Sequence, residues 1–345
     1  MRCDHVIDTT LNPTLGKGYK FDWFDWFCLW YPPGWLILFN RHWQHYHDDP
    51  QGWNWLEYAL FLIPGGFYLA SLIRWLRLGC HAPRSSDQTV DPSYQNAFGQ
   101  EILEPILKHY FRAELHHPEN WTSAPVVVAM NHAGMCFPWD MIGLGTLLNR
   151  TRGWFAKPLA HSIFFDHPWL KWWLPTGWLE ALGGVRANLE SFENAVQSPD
   201  PNTVLLYAPE GWHGLAKGWQ QRHQLATFDP SFIRLSDRHR VPILPVICIG
   251  NEYLHPWTIN IKSLARRIGL PIFPISIFII LFVLFPSMGV WANRTRLQYH
   301  VQPVVHVWEK QEHKTGQLQH HTTAYREAQE LRSKMQSVMN HLVNS

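Results

Sequence analysis

The chain opens with aromatic-apolar stretches cut by charges and Pro, and continues as short β-branched runs separated by turns. Residues 21–46, FDWFDWFCLWYPPGWLILFNRHWQHY, are too interrupted to cross a bilayer as one helix. Residues 53–78 are more apolar. Their uncharged part, Tyr58 to Ile73, holds 16 residues with Pro64-Gly65-Gly66 in the middle, and a span needs roughly 20. A short kinked span, a re-entrant hairpin and a helix lying in the interface are all open to this stretch. The expectation is monotopic insertion, with Trp53, Trp55 and Trp75 as anchors and Arg74 and Arg77 at headgroup level. Residues 81–97 are polar and turn-rich and read as a linker. A helix is predicted from Glu101 to Leu115, with Leu103, Ile106, Leu107 and Tyr110 on one face.

From there strands and helices alternate. Pro125 to Met130, Thr203 to Ala208 and Val241 to Gly250 are apolar runs bounded by turn residues, the pattern of buried strands. The two Pro of the last run argue for a sheet edge or for strand ends. Residues 297–308 add one or two more strands. Pro138 stands where Pro opens a helix. The fold class expected is α/β, with a mostly parallel or mixed central sheet flanked by helices and its site at the strand C-terminal ends. Residues 268–291 hold the most apolar run, but its Pro-free centre, Ile275 to Phe285, has only 11 residues. A docked or interfacial segment is expected rather than a transmembrane helix. Ala324, Ala328, Leu331, Met335, Val338 and Leu342 mark an amphipathic C-terminal helix.

Composition sharpens this picture at a few points. A length of 345 residues suits one large α/β domain with appendages. A net charge of +2 gives no nucleic-acid signature. Twenty Trp favour a membrane interface over a Trp-heavy soluble core, since Trp suits sites that are dry at one end and wet at the other. Five scattered Cys without a CxxC read as reduced thiols in a cytosolic compartment, with no disulfide frame and no zinc site. The first ten residues lack the apolar stretch of a signal peptide. His42, His45 and His47 lack partner boxes at metal-ligand spacing and are expected to form an exposed polar patch.

The candidate chemistry starts at His132. It follows an apolar strand in a loop of small and turn residues, and Asp140 lies eight positions on, near a helix start. A His between a reacting hydroxyl and an orienting carboxylate is a general base. Cys136 beside it reads as loop packing, not as a nucleophile. Pro209-Glu210-Gly211-Trp212-His213 follows the second strand, where Glu oxygens and backbone N–H groups can bind a polar substrate group. Gly183-Gly184-Val185-Arg186 delivers an Arg suited to phosphate or carboxylate.

In order and approximate spacing these segments, with Val241-Pro242-Ile243-Leu244-Pro245-Val246, resemble the glycerolipid and lysophospholipid acyltransferase family (PlsC-like) over roughly residues 98–310. The branch they look most like holds the monoacylglycerol and type-2 diacylglycerol acyltransferases and the plant phytyl ester synthases. The stretch Gly211, Lys217, Gln224-Leu225, Phe228, Phe232-Ile233-Arg234-Leu235 carries that likeness, as does Gly269-Leu270-Pro271 with Phe273-Pro274. With the patterns above, the chain is expected to have four parts: an aromatic-rich membrane-associating helical region at 1–80, a linker at 81–97, the acyltransferase-like domain at 98–310 and an amphipathic C-terminal helix at 311–345. The apolar run 268–291 would flank an acyl-chain entrance.

The resemblance implies acyl transfer from a thioester, acyl-CoA or acyl-carrier protein, to an acylglycerol, long-chain alcohol or lysophospholipid at a membrane, with the active site on the cytosolic side. His132 would be the base and Asp140 its orienting partner. Asn131, Lys157, Arg186, Glu210, Gly211 and His213 would contact substrate, and backbone N–H groups near Gly134 or Gly211 would stabilise the oxyanion. The partners implied are membrane lipid and the thioester donor, with no metal or resident cofactor. Two departures stand out. The family's His and Asp stand five positions apart, and here they stand eight apart. The Thr-Arg that ends its third motif is replaced by Trp212-His213, which favours a neutral acceptor. The rival readings are a catalytically inactive lipid-binding protein on the same fold and a lipid hydrolase.

Overall fold

The computed structural model describes residues 18–344, except 82, 84–89, 122, 124–125, 133, 135–136, 167–171, 173, 176, 198–201, 271, 277–278, 290–291 and 312–316. The β-branched runs become strands: β1 (Glu114–His116), β2 (Val127–Met130), β3 (Phe155–Ala160), β4 (Val185–Arg186), β5 (Thr203–Tyr207), β6 (Ile243–Ile249), β7 (Ile259–Asn260), β8 (Pro274–Ile275) and β9 (Gln298–Val301). Seven of them form one sheet in the order β1-β9-β6-β2-β5-β3-β4, and β7 and β8 make a separate ribbon. β6, β2, β5, β3 and β4 run parallel. β9 runs antiparallel to β6 and carries β1 parallel to itself. The sheet is therefore mixed. β6 lies inside it, and its Pro245 pairs with Ala129 of β2.

β2 is buried along its whole length. Its side chains alternate between two cores, Val128 and Met130 in one and Val127 and Ala129 in the other. A one-residue slip would exchange the two sets, so the register of the strand that carries His132 is firmly set. One core is closed by the N-terminal helices and α6 (Trp139–Arg152). The other is closed by the helix Ser231–His239 and the C-terminal helix Gln317–Asn344, which buries Ala324, Ala328, Leu331, Met335 and Met339.

The N-terminal region is not an appendage. α1 (Trp23–Trp30) starts at a capping box of Asp22 and Asp25, which satisfies otherwise orphaned N–H groups at the helix start. α2 (Trp35–Tyr46) is buried along most of its length. Its Trp35 meets Trp139 edge-on with ring centroids 4.9 Å apart, and Phe39 stacks on Trp178 at 5.4 Å. The aromatic surplus is thus split. Trp35, Trp43, Trp53 and Trp139 lie in the core, while Trp23, Trp30, Trp55 and Trp75 are exposed. α3 (Trp55–Phe61) and α4 (Gly66–Arg77) form a helical hairpin with Leu56, Ile63, Tyr68, Leu69, Leu72 and Leu76 outside. Among the described residues no helix is long and apolar enough to cross a membrane.

Four expectations need correction. His42 is fully buried, with Nε2 2.9 Å from Glu101 Oε2 and Nδ1 3.3 Å from Tyr94 Oη, so it ties the N-terminal layer to the following helix instead of forming a surface patch. Arg74, placed at headgroup level by its sequence context, is buried and donates to the carbonyls of Gln51 and Trp172. The span read as a linker contains α5 (Pro92–Phe98), opened by Asp91 and buried at Tyr94. The helix expected over 101–115 instead winds as wide π turns at Gly99–Leu103 and Ile106–Phe111, stops where Arg112 takes φ +47°, and gives Leu115 to β1. There the backbone finds partners on β9, and a three-residue strand is too short to show as a pattern in the sequence.

Candidate active site

His132 lies two residues past β2, beside the ends of β5 and β6. Asn131 fixes that point. Its side-chain Nδ2 donates to the Cys248 carbonyl at 3.1 Å, and its Oδ1 accepts from the Cys248 N–H at 2.8 Å. Asn131 is completely buried and its amide is committed to β6. The expectation that it binds substrate is replaced by a positioning role. Burial pushes the Cys248 thiol well above its usual range, so it packs beneath the loop as a neutral group. Cys136 lies outside the described residues.

The eight-position separation still brings base and carboxylate together: His132 Nδ1 is 3.1 Å from Asp140 Oδ2. Asp140 is fully buried in the first turn of α6. Its other oxygen accepts the Met141 N–H at 2.8 Å, and a carboxylate is favoured at that end of a helix. A carboxylate facing Nδ1 makes Nδ1 the protonated nitrogen and leaves Nε2 basic. Among the described residues Nε2 has no partner, and the His132 side chain is 10% exposed. This is the arrangement of a proton acceptor with one open position.

The second motif forms the neighbouring wall. Gly211 turns the chain at φ +54°, ψ −146°, and its N–H donates to the Ala208 carbonyl at 2.9 Å. That N–H is spent, so of the N–H groups near Gly211 expected at an oxyanion, Gly211's own is engaged elsewhere. Glu210 is buried, with Oε2 2.8 Å from Lys217 Nζ and 2.5 Å from the Ala226 N–H. Both its oxygens serve the protein, because Oε1 also accepts from Lys217 Nζ at 3.0 Å. The role expected for Glu210 therefore changes from substrate contact to bracing. A Cβ on Gly214 would stand 2.7 Å from His132 Cβ and 3.0 Å from Glu210 Cβ. Lys217 and Gly214 are site residues that the sequence reading missed. The signal for Lys217 is a lone Lys seven positions after a buried Glu, since a buried carboxylate calls for a cation.

A third wall is the loop after β6. Gly134 has φ +150°, and a Cβ there would meet Glu252 Cα at 2.9 Å. Glu252 is buried, caps the Gly250 N–H at 2.8 Å and faces His223 Nε2 at 3.2 Å.

Three expected contacts lie further out. Lys157 is half-buried on β3 and pairs in register with Leu205. Arg186 ends β4, three strands from β2, or about 14 Å at the usual strand spacing. Its guanidinium holds Asp166 at 2.7 and 3.1 Å and lies over the Phe165 ring. His213 is exposed and stacks on Trp212 with centroids 3.8 Å apart. The structure brings together His132, Asp140, Asn131, Glu210 and Gly211. It sets Lys157 and Arg186 apart on the far strands, and His213 on the surface.

Residues 112–278, just under half of the chain, match the acyltransferase family model. Uncharacterized proteins of Mycobacterium bovis and Mycobacterium tuberculosis are 30% identical over 204 residues, 58% of this chain and 52% of theirs. One from Mycobacterium leprae is 28% identical over 203 residues, 58% of this chain and 51% of its own. The chain spans about half the length of these curated relatives. Among solved structures it is similar to the 1-acyl-sn-glycerophosphate (LPA) acyltransferase PlsC of Thermotoga maritima. There the identity is 15% and the TM-score 0.36, over 79% of this chain and 91% of that one.

Proposed function

We propose that this acyltransferase-like domain moves a fatty acyl group from a thioester, acyl-CoA or acyl-carrier protein, to the hydroxyl of a lipid acceptor. The observation that carries the reading is the His132–Asp140 contact of 3.1 Å, with Nε2 unpartnered among the described residues. Nε2 takes the acceptor's hydroxyl proton, and the alkoxide oxygen bonds to the thioester carbonyl carbon. The tetrahedral intermediate collapses with cleavage of the C–S bond, and the imidazolium returns its proton to the departing thiolate. Ester and thiol are the products, and no acyl-enzyme is required. Asp140 holds the ring tautomer and stabilises the imidazolium. The Gly134 N–H and the N–H groups just after Gly211 are the candidates for the oxyanion, a contact typically worth about 3 kcal/mol.

The acceptor is a neutral alcohol on this reading, and the branch is that of the monoacylglycerol acyltransferases and phytyl ester synthases. Two facts support it: Trp212-His213 stands where a phosphate-binding Arg would be, and Arg186 is already paired with Asp166. The domain works at a membrane from the cytosolic side. The support is the exposed apolar surface of α3 and α4 with the helix Ile279–Leu284, linked by Tyr68 Oη donating to the Val283 carbonyl at 2.9 Å. Ile280 and Val283 are exposed on that helix. Trp and aliphatic side chains on such a face suit insertion into the headgroup region.

The test is purified protein in mixed micelles with acyl-CoA or acyl-carrier protein and a panel of neutral and phosphorylated acceptors. Ester formed by the wild type but not by His132→Ala is expected. Free fatty acid without added alcohol would instead mark a hydrolase. The absence of any turnover would mark an inactive lipid-binding protein.

A further inference from the structure

Between Glu252 and Glu309 the chain has no Asp or Glu, yet it carries Lys262, Arg266, Arg267, Arg294 and Arg296. Two of these cations are occupied: Arg296 pairs with Glu114, and Arg294 lies over the Trp30 ring at 5.2 Å. The other three share the exposed face of the helix Lys262–Arg267, which docks through buried Ala265. Among the described residues Lys262, Arg266 and Arg267 make no ion pair, and Arg266 Nε reaches only the Lys262 carbonyl.

Large apolar side chains flank these charges. Trp257 is 56% exposed, Ile259 59% and Ile268 45%. Trp257 has φ +52°, a costly conformation for a bulky residue. The turn is held on its far side, where the Thr258 carbonyl accepts the Trp219 N–H at 3.0 Å and the Thr258 hydroxyl donates to the His255 carbonyl. The strained residue presents its indole to solvent instead of adding it to the core.

We infer that Trp257–Ile268 is a docking surface for an anionic lipid bilayer. Trp257, Ile259 and Ile268 enter the headgroup boundary, and Lys262, Arg266 and Arg267 meet lipid phosphates. Exposed indole and aliphatic groups beside uncompensated cations match that partner in both respects. The acid-free stretch keeps like charge away from the negative surface. The inference rests on the membrane association proposed above and adds a requirement for lipid charge.

The experiment is sedimentation of the full chain with vesicles of phosphatidylcholine alone, or with roughly a third phosphatidylglycerol. Each Lys or Arg near such a surface strengthens binding roughly fivefold. At low salt the triple variant Lys262→Ala/Arg266→Ala/Arg267→Ala should lose on the order of 100-fold on anionic vesicles and little on neutral ones. The charge-preserving variant Lys262→Arg/Arg266→Lys/Arg267→Lys should bind like the wild type. Trp257→Ala should weaken binding to both vesicle types. Equal binding of the triple variant and the wild type to anionic vesicles would overturn the proposal, as would equal losses on the two vesicle types. Acyl transfer on detergent-dispersed substrate should be unchanged in the triple variant. A wild type inert in that assay would count against the catalytic reading and leave the vesicle result intact.

Discussion

His132 and Glu210 stand just past the ends of neighbouring parallel strands, and each is buried against an ionisable partner. They differ in what remains free. Glu210 has both oxygens engaged, by Lys217 Nζ and the Ala226 N–H. Among the described residues His132 spends one nitrogen on Asp140 and keeps the other. Burial beside a countercharge is therefore a poor marker of chemistry, and an open hydrogen-bonding position is a better one. On this view the first pair reacts and the second holds its shape.

The sharpest way to break that contrast is to remove the base. His132→Ala should lower kcat by roughly 10³–10⁴-fold with folding intact, as in comparable triads. Wild-type turnover would transfer the chemistry elsewhere. Glu210→Ala should act on stability instead. It strands a buried Lys217, and urea denaturation should show a loss of about 3–5 kcal/mol. A variant as stable as the wild type with a raised KM would return Glu210 to substrate binding. Gly214→Ala probes the wall the two residues share. Its Cβ would fall 2.7 Å from His132 Cβ, and overpacking of this kind costs about 1–3 kcal/mol. Here kcat should fall with KM little changed, because the base is displaced.

A smaller effect serves as the control at the far edge of the sheet. His300 stacks on His116 with centroids 4.5 Å apart, and burial with two His neighbours lowers its pKa to about 4. The unfolded chain binds that proton from its ordinary value near 6.5. Stability is therefore complete above that pH and declines as pH falls toward 4, on the order of 1–2 kcal/mol. In His300→Gln that slope should flatten in thermal melts across this range, while acyl transfer at neutral pH is unchanged.

How much of this was legible beforehand depended on chain length and on sharing. β2, β5 and β6 announced themselves as unbroken apolar runs because both their faces are buried. β3 did not, since Phe155–Ala160 carries Lys157 and Pro158 and is half-buried along most of its length. His132 and Asp140 were legible as residues, but their meeting depends on how Pro138 and the helix start bend the chain. The commitments of Asn131 and Glu210 were hidden, because their partners Cys248 and Lys217 look unremarkable until the strands are paired. The buried role of α2 was masked by the same aromatics that dress the exposed helices.

The Asn131 clasp on Cys248 has one more consequence. The Cys248 amide proton is held by a side chain of the loop and not by a strand backbone. Its exchange with solvent deuterium should therefore track the order of the loop that carries His132. Neighbouring β6 amides, tied into the ladder, should exchange only with wider opening of the sheet. A single amide thus acts as a built-in gauge of whether the base is in place.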